Sequence, residues 1–378
     1  MITLGDVFRR FADDYVAKHG AALLASHRRA ITAIVACRTP VLGGHRWRCT
    51  CCSAEVHAYH SCKNRSCPTC HRDDTERWLA ARKAELLPCP YFHVTVTVPA
   101  ELRAVLRANQ RDGYASLMRA AAEAIIELAH NKRYVGGTVG VLAVLHTWTG
   151  QLVYHPHVQC LVTGGGVSAD GNSWCPARRA YLVPTRALAV LVRAKLRAEL
   201  AARQPHLVIP DAVWRKPWVV HCTPWGDGSG AVLDYLARYV HRVALTNGRI
   251  DALDDTHVSI RHKDRATGRW RATRLDGPEF MRRFLQHVLP KGLHKVRYYG
   301  LWHPSRRKDA ARARLLLELE SASPPITTTA TNEPAEAADD TATPSDSSAE
   351  ETVRICPSCK HGRLVRVGRL YPKQASGP

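Results

Sequence analysis

The chain has 378 residues and carries 54 Lys and Arg against 33 Asp and Glu, a formal net charge of +21. No stretch approaches the ~20 apolar residues of a membrane span, and Met1 to Phe11 holds Asp6, Arg9 and Arg10 instead of an apolar signal core. These features exclude a membrane partner and point to a cytoplasmic, nucleoid-associated protein, whose basic field favours a polyanion. The dense cluster among its 13 cysteines then reads as metal ligation and not as a disulfide framework.

From Leu4 to Val35, apolar residues recur at helical spacing (Val7, Phe8, Phe11, Tyr15, then Leu23, Leu24, Ile31, Ile34), with a break near Gly20. Cys37 to His71 lacks that periodicity and is dense in Cys, His and Gly, as expected of a small metal-stapled unit. A helix follows over Thr75 to Leu87 and ends at Pro88. Tyr91 to Val98 alternates with period two and is a strand. Leu102 to Asn131 is one long helical stretch, and Gly140 to Trp148 and Leu152 to Thr163 form a hairpin around Thr149-Gly150. Helices are expected over Thr185 to Arg203, Ala231 to Ala244 and Pro278 to Leu289. Strands fall near Trp218 to Thr223, His257 to His262, Arg269 to Thr273 and Lys295 to Trp302. This mixture implies an α+β fold on a largely antiparallel sheet flanked by helices, preceded by a small helical and zinc-ribbon domain.

The expected boundaries are 1–87 for the N-terminal helices and zinc-binding domain, 88–310 for the catalytic domain, 311–355 for a disordered acidic linker and 356–378 for a basic tail. Ser321 to Thr352 has seven acidic residues, no Lys or Arg and almost no large apolar side chain.

Cys49-x-x-Cys52 and Cys67-x-x-Cys70 lie fourteen residues apart, a spacing that suits four thiolates around one structural Zn2+. Cys37, His45 and Cys62 offer three ligands to a second zinc. Such a cluster supplies folding energy and presents basic residues, Lys63 and Arg65 among them, to DNA. Cys356-x-x-Cys359 is half a knuckle; zinc through a dimer, zinc with His361, and no metal at all remain open for it.

Tyr154 to Val162 reads as a strand, so His155, His157 and Gln159 project from one face. Paired imidazoles there suit Mn2+, Zn2+, Fe2+ or Ni2+, and Mg2+ when phosphate oxygens complete the shell; Mg2+ or Mn2+ is the expected ion. Pro156 lacks an N–H and places the segment at an edge or bulge. On the Ala231 to Ala244 helix, Val232, Leu236, Val240 and Val243 form an apolar stripe, while Tyr235 and Tyr239 stand one turn apart beside Arg238 and Arg242.

Together, "YFHVTVTVP", "HPHVQCLVTGGG", "YLARYVHRVALTNGRI" and "RRFLQHVLPKGLHKVRYYG", after "CRTPVLGGH" and "SCKNRSCPTC", resemble the HUH endonucleases, and within them the two-tyrosine transposases of rolling-circle insertion sequences. The likeness runs from about Leu4 to Trp302. It implies catalytic Tyr235 and Tyr239, a divalent ion on His155 and His157, Arg238 and Arg242 against the DNA backbone, and 5′-phosphotyrosine intermediates on single-stranded element ends and target DNA. A homo-oligomer is left open. Gln159 departs from the expected third alternating histidine, so the remaining ligand is either Gln159 or His146. The alternative is a zinc-ribbon DNA-binding regulator without catalysis; a zinc phosphoesterase and an RNA binder are further rivals.

Overall fold

A computed structural model describes residues 1–70, 86–227, 232, 235, 244–264, 266–322 and 354–372. In chain order the elements are α1 (Leu4–His19), α2 (Ala25–Ala36), β1 (Gly44–Cys49), β2 (Glu55–Tyr59), β3 (Pro90–Thr97), α3 (Ala100–Ala108), α4 (Gln110–His130), β4 (Thr138–Trp148), β5 (Tyr154–Val167), β6 (Trp174–Pro176), α5 (Thr185–Arg203), α6 (Asp211–Arg215), β7 (Val219–Asp227), β8 (Ile250–Leu253), β9 (His257–Lys263), β10 (Trp270–Asp276), α7 (Gly277–Leu285), β11 (Val296–Gly300), α8 (Arg307–Ala322) and β12 (Leu364–Leu370). Among the described residues, no helix is long and apolar enough to cross a membrane.

The chain divides into two compact units. The larger contains α1, α2 and every element from β3 to α8. Its main sheet has the order β11-β4-β5-β3-β7, with β6 on β5, and all its pairs are antiparallel. Period-two alternation splits the strands cleanly. Val94 and Val96 of β3, Val141, Ala143 and Leu145 of β4, and Val158, Cys160 and Val162 of β5 are buried with Leu117, Met118 and Ile125 of α4 and Val192 and Leu196 of α5. The opposite face keeps Tyr91, Leu142, Val144 and Leu161 under Val232, Tyr235, Ala313 and Leu317. Both faces of the central strands are thus covered over much of their length, and the histidine end of one face lies beyond that cover.

Thr3 caps α1, its hydroxyl accepting from the Asp6 N–H while Asp6 accepts from the Thr3 N–H at 2.8 Å. Phe8 of α1 meets Phe284 of α7 edge to face, ring centroids 5.3 Å apart. Gly277 is required at that contact, because a Cβ there would sit 2.3 Å from the Phe11 ring. A separate three-stranded sheet, β10-β9-β8, completes this unit.

The smaller unit contains β1, β2 and β12, in the order β12-β1-β2, all antiparallel. Its boundaries differ from the expected 1–87 domain: α1 and nearly all of α2 belong with the strands of the main sheet, and the residues after 356 form a strand of the ribbon and not a tail. Two further expectations change. The Leu102 to Asn131 stretch is two helices, α3 and α4, meeting at Asn109, whose side-chain amide donates to the Val105 carbonyl at 3.1 Å. The segment expected to be a linker from 311 begins as α8, because Ala313 and Leu317 are buried against the sheet and Arg314 donates to the Leu86 carbonyl at 2.9 Å. The remainder of the acidic stretch, the Thr75 to Leu87 helix except its last two residues, and most of the tyrosine helix lie outside the described residues.

Candidate active site and metal centres

The strand that carries His155, His157 and Gln159 is β5, at the middle of the sheet. His157 lies opposite His146 of β4 and Thr97 of β3, and Gln159 lies opposite Val144 and Thr95. Pro156 falls where β3 has ended and where the β4 register slips between His146 and Trp148, so its missing N–H interrupts no regular ladder.

The imidazoles converge. Ring centroids are 5.4 Å apart for His155 and His157 and also 5.4 Å apart for His146 and His157. The Nδ1–H of His157 donates to the His155 carbonyl at 2.8 Å, which leaves Nε2 as the lone-pair atom. That atom accepts from the Gln159 amide at 3.3 Å, while Gln159 Oε1 is buried without a hydrogen-bond partner. An oxygen so placed costs about 1–3 kcal/mol of desolvation unless something occupies it. Two imidazoles beside such an oxygen fit a divalent ion, and His146, itself buried, borders the same space.

Tyr235 is helical and fully buried, on the same face of the sheet as these groups. Its ring meets His93 and Trp225 edge-on, each at 5.4 Å. His93 stands on β3 opposite Leu161, and its Nε2 is 3.3 Å from Thr95 Oγ1. Burial pushes the His93 imidazole down to about 4, so it is neutral in the folded chain. Sequence reasoning did not single out His93; period-two alternation places it on the face of Thr95 and Thr97, but only the pairing with β5 shows what that face holds. Tyr239, Arg238 and Arg242 lie outside the described residues.

A groove of about 840 Å³ runs over this end of the sheet. Six histidines line it among the described residues: His93, His146, His155, His157, His221 and His262. Arg103, Arg249 and Lys263 add positive charge, and Trp148 and Trp270 add rings, Trp270 being 63% exposed.

The cysteines group differently from the sequence expectation. Cys49, Cys52, Cys67 and Cys70 do not form one site. The sulfurs of Cys62, Cys67 and Cys70 lie within 4.8 Å of one another, and those of Cys49, Cys52, Cys356 and Cys359 do likewise. The reason is topological: β1 carries the first knuckle into a sheet with β12, the strand that follows Cys356 and Cys359. His45 joins neither group; it lies within β1 with its ring 5.0 Å from that of His60. Arg65, expected to face DNA, donates to the carbonyls of Leu289, Pro290 and Leu293 at 2.6–2.7 Å and so pins the Cys62–Cys70 loop to the chain after α7. Thr69 accepts from Asn247 at 3.0 Å and adds a second tie. Lys63 remains exposed, with φ +49.

Comparison with known proteins gives two family matches, a "Transposase zinc-binding domain" over residues 7–98 and a "Putative transposase" over residues 140–310. The chain is 36% identical to the protein named "Putative transposase y4qJ" of Sinorhizobium fredii, covering 96% of this chain and 94% of that one. It is 25% identical to the "Transposase for insertion sequence element IS801" of Pseudomonas savastanoi pv. phaseolicola, covering 71% and 68% respectively. No solved structure matches at a significant level.

Proposed function

The chain belongs to the insertion-sequence transposases, and from that membership we propose that it nicks and transfers single DNA strands through 5′-phosphotyrosine intermediates, in rolling-circle fashion, at the bacterial nucleoid. The observation that carries this reading is the packing of Tyr235 against His93 on the sheet face that also bears His155, His157 and Gln159.

His155, His157 and Gln159 Oε1 would hold Mg2+ or Mn2+, with His146 at its border. A divalent ion bound there supplies Lewis-acid polarisation of the scissile phosphate. The phenolic oxygen of Tyr235 or Tyr239 forms a bond to phosphorus, and the bond from phosphorus to the 3′ oxygen breaks. The phenol gives up its proton and the departing 3′ oxygen takes one, leaving a 3′-hydroxyl and a phosphodiester to the protein. No nucleotide hydrolysis is needed, because one phosphoester replaces another, and a second tyrosine four residues on in the sequence would permit a second cleavage while the first adduct stands. A free phenol has a pKa near 10, so the attacking tyrosine needs its proton drawn off as it reacts; neutral His93, packed on Tyr235, holds that ring in place. Trp148 and Trp270 suit stacking of unpaired bases, and Arg103, Lys263, Arg238 and Arg242 suit the backbone phosphates. A zinc held by Cys62, Cys67 and Cys70 would brace the loop that Arg65 anchors.

The test incubates the protein with Mg2+ or Mn2+ and single-stranded oligonucleotides from the element's ends. A protein–DNA adduct that resists denaturation, and disappears in Tyr235→Phe with Tyr239→Phe, is expected. Binding without any adduct would instead favour a regulator without catalysis, and strand cleavage that survives the double variant would favour a metal hydrolase.

A further inference from the structure

We infer that Cys49, Cys52, Cys356 and Cys359 hold a Zn2+ of their own, so that the ribbon is built from two ends of the chain and closed by the metal. The matched zinc-binding domain stops at residue 98 and contains only half of these ligands. The inference does not depend on the cleavage chemistry proposed above.

Four observations point to this site. First, the sulfurs have the spacing a tetrahedral ion demands: Cys49 to Cys359 is 3.6 Å and Cys52 to Cys356 is 3.7 Å, where zinc–sulfur bonds of about 2.3 Å give a tetrahedral edge of about 3.8 Å. Second, each knuckle turns its backbone N–H groups onto its leading or trailing sulfur: Cys51 and Cys52 onto Cys49 at 3.3 and 3.5 Å, Ser358 onto Cys356 at 3.4 Å, and Gly362 onto Cys359 at 3.3 Å. Such bonds satisfy thiolates that carry more negative charge than zinc neutralises. Third, the residue after each knuckle's second cysteine is left-handed, Ser53 at φ +57 and Lys360 at φ +60, so the two knuckles share a backbone form although they lie about 300 residues apart in sequence. Fourth, Gly362 is confined to glycine by the site itself, since a Cβ there would lie 2.2 Å from the Cys49 sulfur. A buried disulfide framework would pair the sulfurs at about 2.05 Å; none of the four is so paired.

The three strands bury too little to be self-sufficient. β12 is largely exposed, Val365 and Val367 included, and small sheets without a metal or disulfide are marginal. Zinc therefore supplies the folding energy that holds β12 on β1.

The experiment counts zinc per chain in the full-length protein purified without chelator. Cys356→Ser with Cys359→Ser should lose one zinc per chain, Cys49→Ser with Cys52→Ser should lose the same one, and all four changes together should lose no more than one. Retention of the full count in the C-terminal double variant overturns the proposal, as does a loss of two in the quadruple variant. A half-integral loss, with a change in oligomeric state, overturns it in favour of a zinc shared between two copies. If the variants fail to fold, a protease site inserted between residues 323 and 353 tests the wild-type ligands directly. The cut C-terminal fragment should stay with the remainder in zinc and leave on chelation; its departure in the presence of zinc refutes the clasp.

Discussion

Arg65 spends its guanidinium on three carbonyls at 2.6–2.7 Å, and that fixes what its loss should do. Hydrogen bonds from a charged donor contribute about 1.5–3 kcal/mol each before neighbours relax, so Arg65→Ala should lower unfolding free energy by roughly 3 kcal/mol. The slope of DNA affinity against salt should not move; a drop of about one in that slope would return Arg65 to the DNA-contacting role suggested by sequence. Gln159 carries the complementary prediction at the histidine end of the sheet. Its Oε1 is buried without a partner beside the His157 nitrogen that its amide meets. Gln159→Ala should therefore raise the Mn2+ concentration needed for half-maximal cleavage about tenfold, in the range typical of weakened metal sites. Gln159→His, which restores a ligating side chain on the same face, should recover most of that loss. Equal Mn2+ requirements in all three proteins would remove residue 159 from the metal site and leave His146 as the remaining ligand.

At the scale of elements, what the sequence made legible tracks how local its cause is. β3, β4, β5 and α5 follow their predicted spans closely, because alternation and helical spacing are written in neighbouring residues. Periodicity hides the break at Asn109, since the apolar pattern of α3 continues in α4 across a residue that ends one helix by bonding its own backbone. The cysteine pairing was missed for a different reason: CxxC units combine by topology, and nothing near Cys49 announces that β12 lies beside β1 three hundred residues later. His93 shows the same limit, as its neighbours Tyr235 and Trp225 come from other elements. The β10 edge supplies a prediction of this kind. Trp270 begins β10, lines the groove and is 63% exposed, so its ring is available and contributes little to packing. Base stacking on an aromatic ring is worth about 1–3 kcal/mol per base. Trp270→Ala should weaken binding of single-stranded oligonucleotides about tenfold or more with the melting temperature unchanged, and should affect duplex DNA less. An equal loss for both forms of DNA, measured by fluorescence anisotropy, would deny β10 a stacking role.

Across the whole molecule, acid stability should be set by histidines that the fold keeps neutral. Burial pushes His27, His93 and His287 each down to about 4. His287 is the most enclosed: its Nε2–H donates to the Leu152 carbonyl at 3.1 Å, the Thr147 hydroxyl meets its Nδ1 at 3.1 Å, and its ring stacks on Tyr154. It thereby holds both strands of the β4–β5 turn, next to the histidines of the groove. In the unfolded chain the same imidazoles protonate near 6.5. Between those two values the unfolded state binds more protons, so stability rises with pH there. The contribution is complete above about 6.5 and is lost as pH falls through about 4, amounting to about 3 kcal/mol for His287 alone. Glu279, held down to about 2 by Arg282 and Arg283, also favours the fold at higher pH, but its window opens only below the ordinary carboxylate value. Urea unfolding at pH 7, 5.5 and 4.5 should therefore show a midpoint that already falls between pH 7 and 5.5, above the ordinary carboxylate range. In His287→Gln, which keeps one donor toward Leu152 but cannot charge, the starting stability should be lower and the fall shallower. A wild-type midpoint that stays level between pH 6.5 and 4.5 would mean that these imidazoles admit a proton without unfolding, and that the β4–β5 turn is looser than its hydrogen bonds imply.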